Sequence, residues 1–580
     1  MVVETVSLAA VAVCTAAPLV GAVTLRLTER RIDPRLVASA AVGISLVASL
    51  VAAACWHLGS GRPTTFGPGL AGGSFVLIDG LTAILLPYVA VVDMAIVLVA
   101  PRRAFASPGV RRLLAGAAIT FATLSTSHPV ALTILWGVSI LATWTTIRST
   151  AGGRTTARVY GLAMAAALAC MISGTTLLVA DPPWLTGSGT TGAAGGWLVA
   201  IAVMIRKGLV PFHSWYHTLF SGASLATALV VTMPQVATYT AVRLLVGHAD
   251  GVPDELLVLS NAALMTAAYG AALAVVQRDA RGLVGMLAMS QSAMVLAGLS
   301  GTVPTELCGA LAVWVSSGLA LTGIGLVVWA LESRGGAISI ETLQGRFADA
   351  PALAAFFLLF GLATLGFPGT LSFVADDLII SGSLDDHLHA GLFVIAATVF
   401  AGIAVMRGWF HVFGGQVTVD APRHALLPRE RVAFTALVII LFGLGLWPGP
   451  FVRSLEKVAA SLLTSRHHHA APPSWRAIHE PVRPRPRRHS RHPSRHGRLC
   501  DLLPPGRDQW ISRLSDRPAA LPGHLDGERD SPGGRRVHRR SGCDRNDLPQ
   551  QLRAHHQGTG CRPNRDRARG HAVVRLHRRR

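Results

Sequence analysis

Long apolar segments follow one another through the first 464 of the 580 residues, and they constrain the fold more than any other feature. A helix needs about 20 mostly apolar residues to cross a bilayer, because every backbone polar group must be paired within the segment. Fourteen segments meet this requirement, which predicts an all-α, polytopic membrane protein. Predicted spans 1 to 14 lie at 6–26, 36–57, 75–100, 111–127, 130–147, 158–179, 195–218, 223–246, 255–277, 282–300, 307–331, 351–382, 388–414 and 432–452.

Charge divides the chain near residue 465. Residues 465–580 hold 27 Arg, no Lys and 10 acidic residues, a net of +17, which leaves +4 of the total +21 for 1–464. This tail shows neither helical nor strand periodicity, so we interpret it as disordered or as a shifted reading frame. Its arginines are suited to binding nucleic acid or anionic lipid. The predicted topology places the tail outside the cell, so we expect no nucleic-acid partner.

The predicted spans divide the membrane body into three parts. Residues 1–110 hold spans 1–3, residues 111–415 form a core, and 416–464 hold a loop and the last span. The first span lacks a preceding positive region, so we expect it to remain in the membrane and not to be a cleaved signal peptide.

Arginine in the short loops indicates the orientation, because cytoplasmic loops carry an excess of Lys and Arg. The odd-numbered loops, which follow spans 1, 3, 5 and so on, hold most of the loop arginines. The main exception is Arg243 at the end of span 8. The odd loops are therefore predicted to be cytoplasmic. Both ends of the membrane body are predicted to be extracytoplasmic. The lipid bilayer is itself a predicted partner of the chain.

Two spans are interrupted at matching places. Span 7 contains Pro211, and span 12 contains Pro368 between two glycines. Proline removes a backbone donor and kinks a helix, and paired interruptions in two halves of a membrane protein are typical of transport sites. If spans 4–8 and 9–13 are two five-helix repeats, each break lies in the fourth helix. An odd number of spans per repeat would make the two repeats inverted.

Lys207, in span 7, is the sharpest candidate for chemistry inside the bilayer. The chain has only one other lysine, Lys457, and uses Arg for ordinary positive charge. A buried Lys can lose its proton whereas an Arg cannot, which suits Lys207 to a proton relay. The alternative is an ammonium that reaches the interface near the cytoplasmic end, as the adjacent Arg206 can also do.

Asp376, just past the break in span 12, is the acidic counterpart. A carboxylate that alternates between water and a buried site can pass a proton, and Asp377 lies beside it on another helical face. The alternative role for Asp376 is to cap the second half of the broken helix, and the two roles are compatible.

Other polar side chains in apolar spans complete the candidate relay. His213 can hand on protons, or it can satisfy backbone groups that Pro211 leaves free. Three further side chains can hold water in a polar axis or join helices: Gln235, Gln291 and Ser317. Outside the repeats, Asp93 is expected to be paired locally, and Asp79 to be interfacial.

Nothing in the sequence indicates a bound metal or redox group. The four cysteines of the membrane body are isolated in apolar or flanking segments, without the spacing of a disulfide or metal framework. Motifs for nucleotide, flavin, iron–sulfur or haem binding are absent from the sequence, so we expect no cofactor and no metal site.

Taken together, these residues resemble the antiporter-like membrane subunits of respiratory complex I, membrane-bound hydrogenases and Mrp cation/proton antiporters, most closely the M-type subunit of bacterial NADH:quinone oxidoreductase. The similarity covers about residues 70–455. Six segments carry it in order: Ile78–Leu81, Lys207–Trp215, Gln277–Arg281 leading to Ser290 and Gln291, Gly361–Gly369 leading to Asp376, Arg407–Gly414 and Leu444–Pro448.

The resemblance implies a 14-helix proton-translocating subunit of a bacterial plasma-membrane complex, with other membrane and peripheral subunits as partners. Lys207 matches the family's central lysine and Asp376 its terminal carboxylate. A family glutamate is replaced by Gly137, and a second lysine by Gln235. Family histidines are replaced by Gln291 and Ser317, and a Pro-Thr-Pro-like segment is absent at 224–226.

These departures leave three interpretations open. The first is an ion-translocating subunit of a redox complex, which has no redox activity alone. The second is the membrane subunit of an energy-coupled inorganic-carbon uptake complex. The third is a non-conducting structural subunit, which Gly137, Gln235 and Ser317 favour.

Overall fold

Helices make up most of the chain that the computed structural model describes. The described residues are 2–27, 33–59, 61–70, 73–105, 109–150, 152–180, 190–246, 252–383, 388–415 and 425–470. The predicted tail from residue 471 onward lies outside the described residues. The helices are α1 Val2–Leu27, α2 Pro34–Leu58, α3 Gly80–Val99, α4 Arg102–Phe105, α5 Gly109–Leu124, α6 Pro129–Arg148, α7 Arg154–Ala180, α8 Thr190–Lys207, α9 Ser214–Gly222, α10 Leu225–Thr232, α11 Val236–Ala241, α12 Asp254–Val275, α13 Ala280–Ala297, α14 Pro304–Gly335, α15 Pro351–Thr364, α16 Leu371–Ser383, α17 Leu388–Phe413, α18 Pro428–Leu446 and α19 Gly449–Ala470.

A short antiparallel hairpin joins α2 to α3. Its strands are β1, Thr64–Leu70, and β2, Gly73–Ile78. The helix of predicted span 3 therefore begins five residues later than residue 75, because residues 75–78 belong to β2. Helix α3 begins only at Gly80, because the Asp79 side chain accepts a hydrogen bond from the Thr82 amide at 3.0 Å and caps the helix.

Asp79 also forms an ion pair across the fold, in which the arginine is buried and the carboxylate is half-buried. The Arg243 guanidinium donates to both carboxylate oxygens, at 2.6 and 2.9 Å, from a π-helical turn at Val242–Val246 that follows α11. The pair accounts for Arg243, the exception to the loop pattern, since this arginine is buried against an acid. It fixes the start of α3 against the end of span 8.

Ten helices of the described chain are long and apolar enough to cross a membrane, and the count is eleven if α18 and α19, bent by 78°, form one span. Three predicted spans fall outside this count. One is α5, which has only 16 residues, and the others are the two broken spans, α8 with α9 and α15 with α16. The chain is thus a mostly helical, multi-pass membrane protein, while the number 14 stays a prediction.

The centre of the described fold is formed by α13 and α14. Every residue of α14 from Glu306 to Leu331 is buried. Glycines allow close packing there: a Cβ on Gly309 would lie 2.6 Å from the backbone nitrogen of Ile379 in α16. At the periphery, α17 exposes a stripe of apolar side chains at helical spacing, as a lipid-facing helix does: Leu392, Ile395, Val399 and Ile403.

The C-terminal part of the membrane body departs from the prediction. Predicted span 14 was continuous from 432 to 452, but α18 ends at Leu446 and α19 begins at Gly449, after Trp447 and Pro448. Proline cannot donate to the preceding turn, which explains the bend. Helix α19 continues to Ala470, so the predicted boundary at residue 465 falls inside a helix.

The ion pair of Asp79 and Arg243 gives the first testable prediction. Burial opposes the charge of Asp79, but the charge and hydrogen bonds of Arg243 prevail and hold the pKa of the carboxyl below its ordinary value. Arg243→Gln should lower the free energy of unfolding in detergent by about 3 kcal/mol near neutral pH. Because the folded-state pKa is lowered, the pair stabilises the fold above the ordinary pKa of Asp, about 4. This contribution is lost as the pH falls through the lowered value.

The control is Arg278→Gln, which breaks an exposed pair with Glu341. That change should cost at most about 1 kcal/mol. Equal losses in the two variants near neutral pH, or an Arg243→Gln defect that persists unchanged in acid, would contradict the assignment.

Candidate functional site

The break in span 7 places Lys207 at the end of α8, and α9 resumes at Ser214. Backbone groups that the break leaves free find partners on other helices. The Val210 amide donates to Thr266 Oγ1 at 3.0 Å, and the Trp215 indole donates to the Ile205 carbonyl at 2.9 Å. These contacts hold the two half-helices in place without a continuous hydrogen-bond ladder.

His213 does not perform the backbone role that the sequence left open for it. Its ring packs edge-on against Tyr269, with centroids 5.3 Å apart, and its buried Nδ1 has no hydrogen-bond partner in the described chain. Thr266 and Trp215 satisfy the free backbone groups instead. A proton-carrying role for His213 stays a prediction.

Lys207 is held inside the protein and does not reach an interface. Only 5% of its surface is exposed, and its Nζ donates to Gln235 Oε1 at 2.7 Å. Gln235 is equally buried, and its Oε1 also accepts from Thr238 Oγ1 at 3.3 Å. Lys207 of the predicted relay and Gln235 of the predicted polar axis are therefore in direct contact.

Span 8 contains a third break, which the sequence analysis did not predict. After Pro234, Gln235 adopts a left-handed conformation with φ of +52°, which separates α10 from α11. Such a conformation is costly for a residue other than glycine, so the surroundings must enforce it. It directs the Gln235 amide toward Lys207.

Tyr88 supports this third break from α3. Its hydroxyl donates to the Met233 carbonyl at 2.7 Å, where the helix of span 8 is interrupted. A Cβ on Gly318, the neighbour of Ser317 in α14, would collide with the same hydroxyl. Tyr88 thereby connects α3 to the polar axis. Nothing in the sequence distinguished this tyrosine from the other residues of its apolar helix.

A small cavity adjoins Lys207 and Gln235. Its volume is about 20 Å³, enough for one water molecule. Tyr216 and Ser292 also line it, and the buried Tyr216 hydroxyl has no hydrogen-bond partner among the residues described. A water molecule here would have several polar neighbours, and Ser292 lies next to Gln291 in α13. The Ser-Gln-Ser sequence was the available signal for Ser292, while Tyr216 was missed.

The break in span 12 places Asp376 within α16, facing back toward the end of α15. Helix α16 begins at Leu371, so Asp376 lies beyond the first turn and its predicted capping role is wrong. A Cβ on Gly366, which has a φ of +66°, would lie 2.6 Å from Asp376 Oδ2. The partly buried carboxyl thus occupies space that only glycine leaves, while Asp377 is exposed. Pro368 lies between the two half-helices.

The remaining axis residues are buried but less connected. Ser317 donates to the Val313 carbonyl of its own helix at 2.6 Å, and the structure shows no hydrogen bond from the Gln291 side chain to another described residue. Asp93 is also buried. The expectation of a local partner for it is wrong, because neither of its oxygens has a hydrogen-bond partner in the described ranges.

Arginines of the recognised segments have structural roles. Arg281 forms a two-pronged pair with Glu332 and donates to the Ala223 carbonyl at 2.9 Å. Arg407 donates to the carbonyls of Val275 and Gln277, both at 2.8 Å. They fix the loop-facing ends of neighbouring helices. Among the residues described, no group of three or more His, Cys, Asp or Glu side chains could hold a metal ion.

The contact of Lys207 with Gln235 gives a second prediction. Gln235→Leu should lower the free energy of unfolding by about 1–3 kcal/mol, because the buried amine loses its acceptor. Gln291→Leu is the matched control, because the Gln291 side chain accepts no hydrogen bond from a buried amine in the described chain. Chemical unfolding in detergent measures both, and equal losses would show that the hydrogen bond contributes nothing.

Gly366 and Gly369 give a third prediction through a matched pair. Both have positive φ, so alanine at either position should cost about 1–2 kcal/mol. Only at Gly366 would the new Cβ crowd Asp376, whereas at Gly369 it meets Leu446 at 3.6 Å. Gly366→Ala alone should change the labelling of Asp376 by an apolar carbodiimide, measured by mass spectrometry. The same change in both variants would contradict the contact.

The core of this chain is similar to known membrane proteins. Residues 159–402 match the family described as NADH:quinone oxidoreductase/Mrp antiporter, transmembrane. NADH-quinone oxidoreductase subunit M of Mycobacterium tuberculosis (strain CDC 1551 / Oshkosh) is 25% identical over 286 residues, which are 48% of this chain and 51% of the relative. The chain spans about half the length of the curated relatives it matches.

Solved structures show the same fold. One chain of respiratory complex I from Thermus thermophilus superposes with a TM-score of 0.69 at 18% identity, covering 79% of this chain and 99% of that one. A chain of the Mrp complex from Dietzia sp. DQ12-45-1b gives 0.71 at 18% identity, covering 81% and 100%. The resemblance inferred from the sequence is therefore confirmed by the family match over residues 159–402 and by the shared fold.

Proposed function

We propose that this chain translocates protons, or another cation, as a membrane subunit of a complex I-like or related assembly. The observation that carries the proposal is the buried amine of Lys207 at a helix break, hydrogen-bonded to Gln235 and adjoining a water-sized cavity. An ionisable group at this depth is costly in a membrane protein and is retained for function. Because an amine can release and regain a proton, it can serve as the central carrier.

The proposed path leads from Lys207 toward α13. Tyr216 and Ser292 share the small cavity with the lysine, and Ser292 is adjacent to Gln291. A water molecule in the cavity would join these hydroxyls to the amine by hydrogen bonds along which a proton can move. Ser317 in α14 and Asp376 in α16 would extend the axis, and Asp376 would be the terminal group.

The proposed architecture has 14 spans, with spans 4–8 and 9–13 as inverted repeats. The breaks at Pro211 and Pro368 would occupy equivalent positions, each supplying one titratable group, Lys207 or Asp376. The arginine-rich loops would face the cytoplasm of a bacterial cell, and both ends of the membrane body would be extracytoplasmic. This arrangement would expose one half-path to each side of the membrane.

The proposed partners are other membrane and peripheral subunits, whose chemistry would supply the energy. Solved relatives of this fold are parts of a respiratory complex I and an Mrp complex. Gly137 brings no carboxylate near Lys207, and a Cβ there would contact only Leu168. Lys207 has a neutral partner in place of an acid, so its charge would respond to changes around Gln235.

A non-conducting structural subunit is the second candidate. The observation that favours it is Ser317, whose hydroxyl is occupied by the backbone of its own helix and donates to no neighbouring side chain. In that case the axis would be interrupted between Gln291 and Asp376, and the subunit would only hold its neighbours in place.

Proton flux separates the two candidates and gives the fourth prediction. In the assembled complex reconstituted into proteoliposomes, Lys207→Ala and Asp376→Ala should each lower proton flux by roughly tenfold or more. The matched controls are Lys457→Ala and Glu456→Gln, which alter exposed residues of α19. Their flux should equal that of the wild type. Unchanged flux in both Lys207→Ala and Asp376→Ala would leave the structural role.

A further inference from the structure

A second and much larger cavity lies beside the site. Its volume is about 670 Å³, and α3, α5, α6 and α10 enclose it. We call it the vestibule and define it by Arg103 and Arg112 near the arginine-rich loops, Thr143 and Thr227 along its walls, and Arg206. From Ser149 to Ser139 it follows α6 for about 15 Å, at 1.5 Å per residue. It therefore extends from the loop end of the bundle toward the buried lysine.

Arg206 separates the vestibule from the small cavity at Lys207. It lines both cavities, together with Val231 and Val236. Its guanidinium lies 4.4 Å above the Trp136 ring and donates to Ser139 Oγ at 2.7 Å, so it is fixed in place. Arg206 therefore stands at the boundary between the vestibule and the cavity at Lys207.

The charge of the vestibule has one sign. Its charged lining residues, within the described chain, are Arg103, Arg112 and Arg206, and the remaining polar lining consists of serine and threonine hydroxyls. No carboxylate among these lining residues compensates the three positive charges. A space enclosed by low-dielectric walls and charged with one sign attracts anions and repels cations.

We propose that Arg206 is a cation-excluding filter that makes Lys207 accessible to protons and not to sodium or potassium ions. This inference rests on the proposed function and adds the residue that determines which ion is carried. A pore-lining arginine raises an electrostatic barrier to cations, and a metal ion has no means of avoiding it. Its hydration shell would have to be replaced by hydroxyls alone, beside a fixed guanidinium.

A proton has a route that a metal ion lacks. A water molecule can transfer one proton through the small cavity to the neutral amine of Lys207, which becomes an ammonium, and the remaining hydroxide leaves through the vestibule. The three arginines stabilise the departing anion. Only the proton crosses Arg206, and it does so between hydrogen-bonded groups.

Thiol accessibility tests the filter without requiring transport. In the full-length chain with its seven cysteines replaced by serine, Thr143→Cys reports on the vestibule and Ser454→Cys on an exposed position. The readout is the rate of cysteine labelling by an anionic methanethiosulfonate divided by the rate of labelling by a cationic one. This ratio is normalised to the same ratio at Ser454→Cys. This ratio should exceed about 10 at Thr143→Cys.

The variants of Arg206 decide whether this residue is responsible. Arg206→Gln should reduce the normalised ratio severalfold, and Arg206→Lys should keep it high because the charge remains. The control is Arg278→Gln, which removes an exposed arginine that does not line the vestibule and should leave the ratio unchanged. A normalised ratio near one in the unaltered vestibule, or no change in Arg206→Gln, would overturn the proposal.

Ion flux in proteoliposomes completes the test. The wild type should carry protons without radioactive sodium, whereas Arg206→Gln should admit sodium. Sodium uptake by the wild type at the rate of proton flux would refute the filter. If Lys207→Ala retained its proton flux while the vestibule kept its preference for anions, the proposed relay would fail and the filter would stand.

Discussion

The site depends on one buried amine and the acceptor that holds it. Lys207 lies at the end of a half-helix, and the amide oxygen of Gln235 accepts its hydrogen bond at 2.7 Å. A charged or neutral amine without an acceptor would be costly at this depth, so the two residues require each other. Gln235 reaches the amine only because its backbone is left-handed, with φ of +52°. The broken geometry of span 8 is therefore part of the site.

Helix breaks inside a membrane require partners for the groups they expose, and here those partners lie beyond the break or on other helices. Thr266 and Trp215 satisfy the break in span 7, and Tyr88 satisfies the one in span 8. Because backbone groups cannot bond to water in hydrocarbon, these contacts are obligatory. The contact of Tyr88 explains why α3, which lies outside the proposed repeats, packs against the site. The ion pair of Asp79 with Arg243 fixes the start of the same helix.

The sequence predicted the helices well, because hydrophobic length is a local property. The interruptions at Pro211 and Pro368 could also be read directly, since proline acts within its own helix. The polar contacts were predicted less well from the sequence. Asp93 was expected to be paired and has no hydrogen-bond partner in the described residues, whereas Arg243, an exception in the loop pattern, is paired with Asp79. Pairing depends on which helices become neighbours, and the order of residues along one helix does not contain that information.

The sequence by itself determined that the chain enters a membrane, where its helices are interrupted and which lysine is unusual. These conclusions follow from apolar length, from proline chemistry and from the scarcity of one residue type. Only the tertiary structure decided that Lys207 bonds to Gln235, that Asp376 lies against Gly366 and that Arg206 stands between two cavities. Each of those arrangements joins residues from different helices, or from two sides of a break. The packing of the helices, enforced by the need to pair every buried polar group, brings them together.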